Sequence, residues 1–244
     1  MGVTRRFPFE SLAKPPFQAL VVIFDLEGFS TFFAQPDVQT YMPRYLNRVF
    51  ECTSIAFLGG KAYWSKADKA MAPLAAPDHE KFLGDGALFL WTVGPDATLR
   101  PTQIMPLLNR LWNLKQNFSK VVDACSDVVP VTDLPRAIRF GIARGSVYEL
   151  TRKEAGGTEY LGYCINLASR LQSYCKELGF IASARVGFTR EIVKKHGYIR
   201  VVAKKLRGFP KELVIVDQGE YKGLPAALRA DLFDAAPQGE RGDI

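Results

Sequence analysis

Residues 19–30 read ALVVIFDLEGFS, a run of six apolar residues that ends at Asp25 and is followed by Gly28. A short apolar run bounded by a turn signal is typical of a buried β-strand. Residues 80–91 read EKFLGDGALFLW and place Asp85 between two glycines. Two apolar runs that flank Gly-Asp-Gly predict a β-hairpin with Asp85 at its turn.

Both aspartates are therefore expected at strand ends, where one sheet can hold their carboxylates side by side. Two adjacent carboxylates repel each other unless a cation joins them. Hard divalent cations that hold phosphates take carboxylate oxygens as ligands. We therefore predict a divalent-metal site that contains Asp25 and Asp85.

The length and composition are those of a globular protein. The chain has 244 residues, of which 48% are hydrophobic and 23% are charged, and this length is enough for one large domain with a sizeable core. No apolar run approaches the roughly 20 residues that a membrane span needs. Residues 1–14 lack the apolar stretch of a secretory signal. We expect a cytoplasmic protein with no membrane partner.

The net charge of +7 suits a polyanionic partner, either nucleic acid or a nucleoside triphosphate. The basic residues are dispersed, and no helix-turn-helix, finger or RNA-recognition signature is present, so we expect no nucleic-acid partner. The only two histidines, His79 and His196, are far apart, which disfavours a histidine-based metal site or a Ser-His-Asp triad. The four cysteines lack zinc-site spacing and are expected to be reduced and mostly buried: Cys52, Cys125, Cys164 and Cys175.

Helices and strands alternate irregularly along the rest of the chain. The apolar periodicity predicts helices over residues 31–58, 101–122, 165–178 and 189–195. It predicts further strands over residues 136–145, 180–183, 198–203 and 213–217. This order, with hairpins at 81–92 and near Gly156 and Gly157, favours an α+β or mixed-sheet sandwich over a doubly wound sheet.

We expect one domain with two short extensions. Residues 1–17 are predicted to be an irregular lead-in, residues 18–218 the domain, and residues 219–244 a tail with one helix near 224–233. Residues 59–78 are rich in glycine, proline and alanine and are predicted to form an irregular excursion.

Asn166 and Arg170 stand four residues apart on a predicted helix and therefore share a face. An amide and a guanidinium on one face can orient a sugar and hold a phosphoryl group. The same spacing also suits a solvent-exposed helix, and the spacing by itself favours that simpler reading. Lys81 and Glu159 each precede a predicted turn, and each taken singly suits a surface charge.

Five segments together resemble one family. In order they read FDLEGFS (24–30), EKFLGDG (80–86), RFGIARG (139–145), YLGYCINLASR (160–170) and KLRGFP (205–210). This succession resembles the class III nucleotidyl cyclase catalytic domain over roughly residues 18–217. The resemblance implies a ferredoxin-like α+β sandwich, with a mostly antiparallel sheet flanked by helices, that works as a head-to-tail homodimer.

The resemblance also implies roles for particular residues at sites shared by two subunits. Asp25 and Asp85 would hold two Mg²⁺ or Mn²⁺ ions, with the Leu26 carbonyl assisting. The partner subunit would supply Asn166 to orient the ribose and Arg170 to stabilise the transition state. The 3′-hydroxyl of a nucleoside triphosphate would attack the α-phosphorus, with pyrophosphate as the leaving group.

Three more positions match substrate-binding positions of the family. Arg207 stands where a triphosphate-binding lysine is common, and Lys81 and Glu159 stand at the two positions that read the base. Adenine-specific members typically carry Lys and Asp there, and guanine-specific members carry Glu and Cys, so this pair matches neither. Lysine only donates hydrogen bonds and ionised glutamate only accepts them. The pair therefore suits adenine, guanine, cytosine or uracil.

Two departures from the family suggest a smaller base pocket. Glu159 is one methylene longer than the usual Asp. Tyr163 replaces the usual Asp after Gly162, and we expect it either to narrow the pocket or to pack at the dimer interface.

The chain has an unusual pair of base-reading residues and lacks a receptor or sensor segment. In both respects it resembles the pyrimidine cyclases of bacterial antiphage (Pycsar) systems. Those enzymes make cCMP or cUMP, which triggers a downstream effector. We expect the same of this chain, with an adenylate or guanylate cyclase as the alternative. A catalytically inactive, cyclase-like nucleotide-binding module is a second alternative, although Asp25, Asp85, Asn166 and Arg170 are all kept. A basic nucleic-acid-binding protein is a third.

Overall fold

One ten-stranded mixed sheet organises the chain. The structure, a computed structural model, describes residues 9–11, 15–65, 70–126, 128–152 and 158–237. Its strands are β1 (Phe9–Ser11), β2 (Phe17–Glu27), β3 (His79–Phe82), β4 (Gly86–Thr92), β5 (Ala137–Arg152), β6 (Thr158–Gly162), β7 (Phe180–Ser183), β8 (Tyr198–Ala203), β9 (Glu212–Asp217) and β10 (Phe233–Ala235). Its helices are α1 (Phe29–Phe33), α2 (Val38–Leu58), α3 (Pro101–Gln116), α4 (Phe118–Asp123), α5 (Tyr163–Tyr174), α6 (Arg190–Lys195), α7 (Gln218–Gly223) and α8 (Ala226–Leu232), with a 3-10 turn at Ala184–Val186.

The strand order is β10-β8-β9-β7-β5-β2-β4-β3, and β1 and β6 also pair with β5. Every pairing is antiparallel except that of β5 with β7. A parallel pair needs a crossover connection, and α5 lies within that connection. The helices flank the sheet, so the predicted ferredoxin-like α+β sandwich with a mostly antiparallel sheet is confirmed.

The central strand β2 is buried on both faces, which explains its continuous apolar run. Because side chains alternate along a strand, the even-numbered residues from Leu20 to Phe24 enter the core formed with α2 and α3. The odd-numbered residues from Ala19 to Ile23 enter the second core, formed with α5. All six are at most 5% exposed, so β2 is anchored from both sides up to Asp25.

Two glycines permit the close approaches that shape the end of the sheet next to Asp25. A Cβ atom on Gly86 would lie 1.9 Å from the Phe24 carbonyl oxygen, and one on Gly141 would lie 2.0 Å from the Ala168 carbonyl oxygen. Any larger residue would push β4 away from β2, or α5 away from β5. Both glycines lie in the segments that carry the family resemblance.

Most predicted elements are confirmed, with shifted bounds. The helix predicted over 101–122 is divided at Asn117 into α3 and α4, and α5 begins two residues earlier than predicted and ends at Tyr174. Within 59–78, the described residues contain one isolated bridge, Gly60 to Met71, and no helix or strand. The predicted turn at Gly156 and Gly157 lies outside the described residues.

Both chain extensions take part in the sheet, contrary to prediction. Residues 9–11 pair with β5 as β1, so the expectation of an irregular lead-in is wrong there. The predicted tail forms α7, α8 and β10, and β10 pairs with β8. The helix expected near 224–233 is confirmed as α8, whereas β10 was missed because three residues are too few for a periodic pattern. Residues 238–244 lie outside the described part of the chain.

Two further sequence expectations concern the cysteines and the membrane. All four cysteines are free and buried, as predicted. Among the described residues, no helix combines the length and the apolar character that a bilayer crossing requires.

Candidate active site

The sheet brings the two aspartates together. Asp25 lies opposite Gly86 in the antiparallel pair of β2 and β4, and the Leu26 amide donates a hydrogen bond of 3.0 Å to the Asp85 carbonyl oxygen. Asp85 lies in the turn between β3 and β4, as predicted. The two carboxyl groups are close enough for the negative charge of Asp85 to contribute to a raised Asp25 pKa.

Asp25 is held by two residues that the sequence did not single out. Arg139 on β5 forms an ion pair with its Oδ2 atom, and the Gln172 side chain on α5 donates a hydrogen bond of 3.0 Å to the same oxygen. Burial raises the pKa of the Asp25 carboxyl, Arg139 acts to lower it, and Asp85 acts to raise it. The segment RFGIARG contained Arg139, but only the pairing register, which places Arg139 opposite Asp25, reveals its partner.

The donor set fits a hard divalent cation. Asp25, Asp85 and the Leu26 carbonyl offer oxygen atoms only. Arg139 and Gln172 both donate to Oδ2 of Asp25, and Asp85 lies close to the same carboxyl group. The described residues contain no cluster of three or more His, Cys, Asp or Glu side chains suited to a metal. Mg²⁺ is commonly held by one or two carboxylates together with substrate phosphates, and this arrangement matches that description.

The structure also joins the two predicted base-reading residues. Lys81 on β3 and Glu159 on β6 form an ion pair, with 2.6 Å between Nζ and Oε2. His79 packs edge-on against Tyr160 next to this pair, with 4.9 Å between the ring centroids. Burial lowers the pKa of His79, and Glu159 acts to raise it. A donor and an acceptor from distant parts of the sequence thus lie in contact.

Asn166 and Arg170 lie on one exposed face of α5, as their spacing predicts. The opposite face is buried and holds the helix on the sheet through Cys164, Leu167, Ala168 and Leu171. Within the part of the chain that the structure describes, the two polar side chains make no hydrogen bond or ion pair. Both remain available to a substrate or to a second subunit.

Arg207 is exposed in the connection between β8 and β9, next to Gly208 with a φ of +85°. Tyr163 lies against this connection. Its ring is 5.0 Å from the ring of Phe209 and 5.1 Å from the guanidinium of Arg185. Its described contacts include neither base-reading residue, so the expectation that Tyr163 narrows the base pocket gains no support.

Of the comparisons with known proteins, the one with solved structures finds similar folds. No protein-family model matches the chain, and neither does any curated protein sequence. Among solved structures, the adenylyl cyclase CyaB from P. aeruginosa is similar at a TM-score of 0.59 and 17% identity, over 83% of this chain and 94% of that one.

Two guanylyl cyclases are similar to a slightly lower degree. The guanylyl cyclase Cya2 matches at a TM-score of 0.53 and 16% identity, over 83% of this chain and 92% of its own. The catalytic core of a rhodopsin-guanylyl cyclase with converted specificity, in complex with ATPαS, matches at 0.53 and 16%, over 82% and 95%. The chain therefore has the fold of the class III adenylyl and guanylyl cyclase catalytic domains.

Proposed function

We propose that this protein is a metal-dependent nucleotidyl cyclase, which converts a nucleoside triphosphate into a 3′,5′-cyclic nucleotide and pyrophosphate. One observation carries the proposal: Asp25 and Asp85 meet where β2 pairs with the β3–β4 hairpin, on a sheet with the cyclase fold. Arg139 compensates the charge of Asp25, but the repulsion between the two carboxylates still costs stability unless a metal ion joins them.

In this proposal, the chain's own residues bind and orient the substrate. Asp25, Asp85 and the Leu26 carbonyl would hold two Mg²⁺ or Mn²⁺ ions, which would supply Lewis-acid chemistry at the attacking hydroxyl and the triphosphate. Arg139 and Gln172 fix the orientation of the Asp25 carboxylate, because both donate to the same oxygen.

A second copy of the chain supplies two arginines and one asparagine in a homodimer with shared sites. Arg170 stabilises the charge that grows on the phosphoryl oxygens in the transition state. Asn166 orients the ribose, and Arg207 binds the triphosphate. All three are exposed, which is what a residue serving the neighbouring subunit requires.

We further propose a pyrimidine substrate, CTP or UTP. The Lys81–Glu159 contact makes one donor–acceptor edge, and such an edge suits the N3 and N4 positions of cytosine or the O4 and N3 positions of uracil. Purines offer comparable edges, so the choice rests on the size of the base. The Glu159 side chain is one methylene longer than the aspartate of adenine-specific cyclases, which suits a smaller base pocket. Adenylate or guanylate cyclase remains the alternative.

The decisive experiment offers ATP, GTP, CTP and UTP separately to the purified protein with Mn²⁺ or Mg²⁺, and identifies products by mass. We expect cCMP or cUMP. Preferred turnover of ATP or GTP would refute the pyrimidine part and leave the cyclase part intact. Absence of product from all four, together with measurable nucleotide binding, would instead favour an inactive nucleotide-binding module.

The proposed product implies a role in signalling. By resemblance to Pycsar cyclases, a cyclic pyrimidine nucleotide would act on a cyclic-nucleotide-responsive effector in the cytoplasm during phage infection. Measuring cCMP and cUMP in cells that carry the protein, before and after infection, tests this role. Levels that do not change on infection would refute it.

A further inference from the structure

The loop that carries Arg207, residues 204–211 between β8 and β9, is held from both ends of α5; we call it the Arg207 loop. At the C-terminal end of α5, the Tyr174 hydroxyl accepts hydrogen bonds from the amides of Lys204 at 3.0 Å and Lys205 at 3.4 Å. The same hydroxyl donates to the carbonyl oxygen of Leu232. A tyrosine hydroxyl has one donor and two acceptor positions, so all three of its hydrogen-bonding positions are occupied at this junction.

The C-terminal segment, residues 226–235, completes the junction. The Leu232 carbonyl oxygen also accepts from the Lys204 amide at 2.9 Å, and Lys205 forms an ion pair with Asp231. The Tyr174 ring packs edge-on against Phe233, with 5.4 Å between the centroids. The first residues of the Arg207 loop are therefore tied to α5 on one side and to α8 on the other.

The middle and the far side of the loop are also anchored. Leu206 is 4% exposed and belongs to the second core, and the Phe209 amide closes a turn by donating to the Leu206 carbonyl oxygen at 2.9 Å. Tyr163, the first residue of α5, packs against the Phe209 ring. Arg207 is thus an exposed cation, and the loop backbone on both sides of it is held in place.

The geometry points to Tyr174 as a positioning residue: it pre-organises the Arg207 loop so that Arg207 meets the substrate triphosphate at a set distance from Asn166 and Arg170. This inference rests on the proposed function. α5 carries Asn166 and Arg170 between its two ends, so one helix sets the geometry of three residues that act on the same substrate. A loop ordered before binding also lowers the conformational cost of association.

Tyr174→Phe tests the inference, because it removes the hydroxyl and keeps the ring against Phe233. We expect the Kd for inorganic tripolyphosphate, measured by calorimetry without turnover, to rise about fivefold, as for the loss of hydrogen bonds of ordinary strength. The KM for the nucleotide should rise by a similar factor. Tyr221→Phe is the matched control: Tyr221 also packs against Phe233, at 5.6 Å, and its loss of a hydroxyl should leave the Kd unchanged.

A double-mutant cycle shows whether Tyr174 acts through Arg207. In the Arg207→Ala background, Tyr174→Phe should cause no further loss of tripolyphosphate binding. Losses that simply add would overturn the inference, because they would place the effect of the hydroxyl elsewhere. A wild-type chain that binds no tripolyphosphate would overturn it as well.

Amide hydrogen exchange supplies a readout that needs neither substrate nor activity. In Tyr174→Phe, exchange at the Lys205 amide should quicken, whereas the Lys204 amide keeps its hydrogen bond to the Leu232 carbonyl oxygen and should change less. Exchange in β2 should stay as in the wild type. Unchanged exchange at the Lys205 amide would overturn the inference. A wild-type protein that cyclises no nucleotide would refute the proposed function instead, so the two failures are distinguishable.

Discussion

Two parts of the proposed site are built in opposite ways. We call them the carboxylate end, which contains Asp25 and Asp85, and the cation face, which contains Arg170, Arg207 and the neutral amide of Asn166. At the carboxylate end, the side chains of Asp25 and Arg139 are 17% and 13% exposed and form an ion pair. On the cation face, Asn166, Arg170 and Arg207 are exposed, and within the described ranges their side chains make no hydrogen bond or ion pair. The groups of the carboxylate end are paired with one another within a single chain, whereas the groups of the cation face are exposed to solvent.

This difference has a physical reason. A partly buried carboxylate costs desolvation energy unless a partner compensates, so the fold must supply Arg139 and Gln172 around Asp25. A solvated guanidinium carries no such cost and can stay unpaired until a polyanion arrives. The comparison supports the proposed site, which is completed by a triphosphate and a second subunit, and four experiments test it.

The largest effect is expected at the carboxylate end. Asp85→Asn keeps the shape of the side chain and removes its charge, so metal binding and turnover should fall by at least about a hundredfold. Steady-state kinetics with the preferred nucleotide would measure this. Asp96→Asn, at an exposed position of the loop after β4, is the control and should retain full activity. Activity of Asp85→Asn near the wild-type level would remove Asp85 from the mechanism.

On the cation face, Arg170→Ala should lower kcat by about a hundredfold or more, because it removes a contact made chiefly in the transition state. Mixing Arg170→Ala with Asp85→Asn tests whether the two halves come from different subunits. Random pairing into two-fold dimers makes half of the dimers mixed, each with one intact site, so activity should recover to about a quarter of the wild-type value. No recovery after subunit exchange would refute the shared site.

The third effect concerns Lys81 and Glu159, the proposed base-reading pair. Glu159→Asp recreates the Lys–Asp pair of adenine-specific cyclases and shortens the acceptor, so the ratio of kcat/KM for ATP to that for CTP or UTP should rise about tenfold. Competition assays with paired nucleotides measure this ratio. Glu80→Asp, the same change at an exposed neighbour of Lys81, should leave it unchanged. An unaltered ratio in Glu159→Asp would show that Glu159 does not read the base.

The smallest effect concerns stability. A cation bound at about a hundred times its Kd stabilises the folded state by roughly 2.7 kcal/mol, which for a domain of this size raises Tm by several degrees. Saturating Mn²⁺ should therefore raise the wild-type Tm relative to EDTA, and the rise should disappear in Asp85→Asn. Equal rises in both proteins would indicate that Mn²⁺ binds elsewhere.

Much of the fold could be predicted from local patterns, because burial on both faces leaves a continuous apolar run in β2 and Gly-Asp-Gly marks its neighbouring hairpin. The same patterns missed β1 and β10, since three-residue strands carry no period. They also missed Arg139 and Gln172, whose partner is set by strand register and helix packing. Only the resemblance assigned Lys81 and Glu159 to the same base, because no local rule joins residues 78 positions apart.

By itself, the sequence determined where the carboxylates, the amide and the guanidinium stand along their strands and helices, because hydrophobic periodicity and turn chemistry act over a few residues. Only the tertiary structure decided which of these groups meet. Contacts such as Asp25 with Arg139, or Tyr174 with the Arg207 loop, depend on sheet register and on the packing of α5. Those arrangements are fixed by the burial of two whole cores, which no short stretch of sequence encodes.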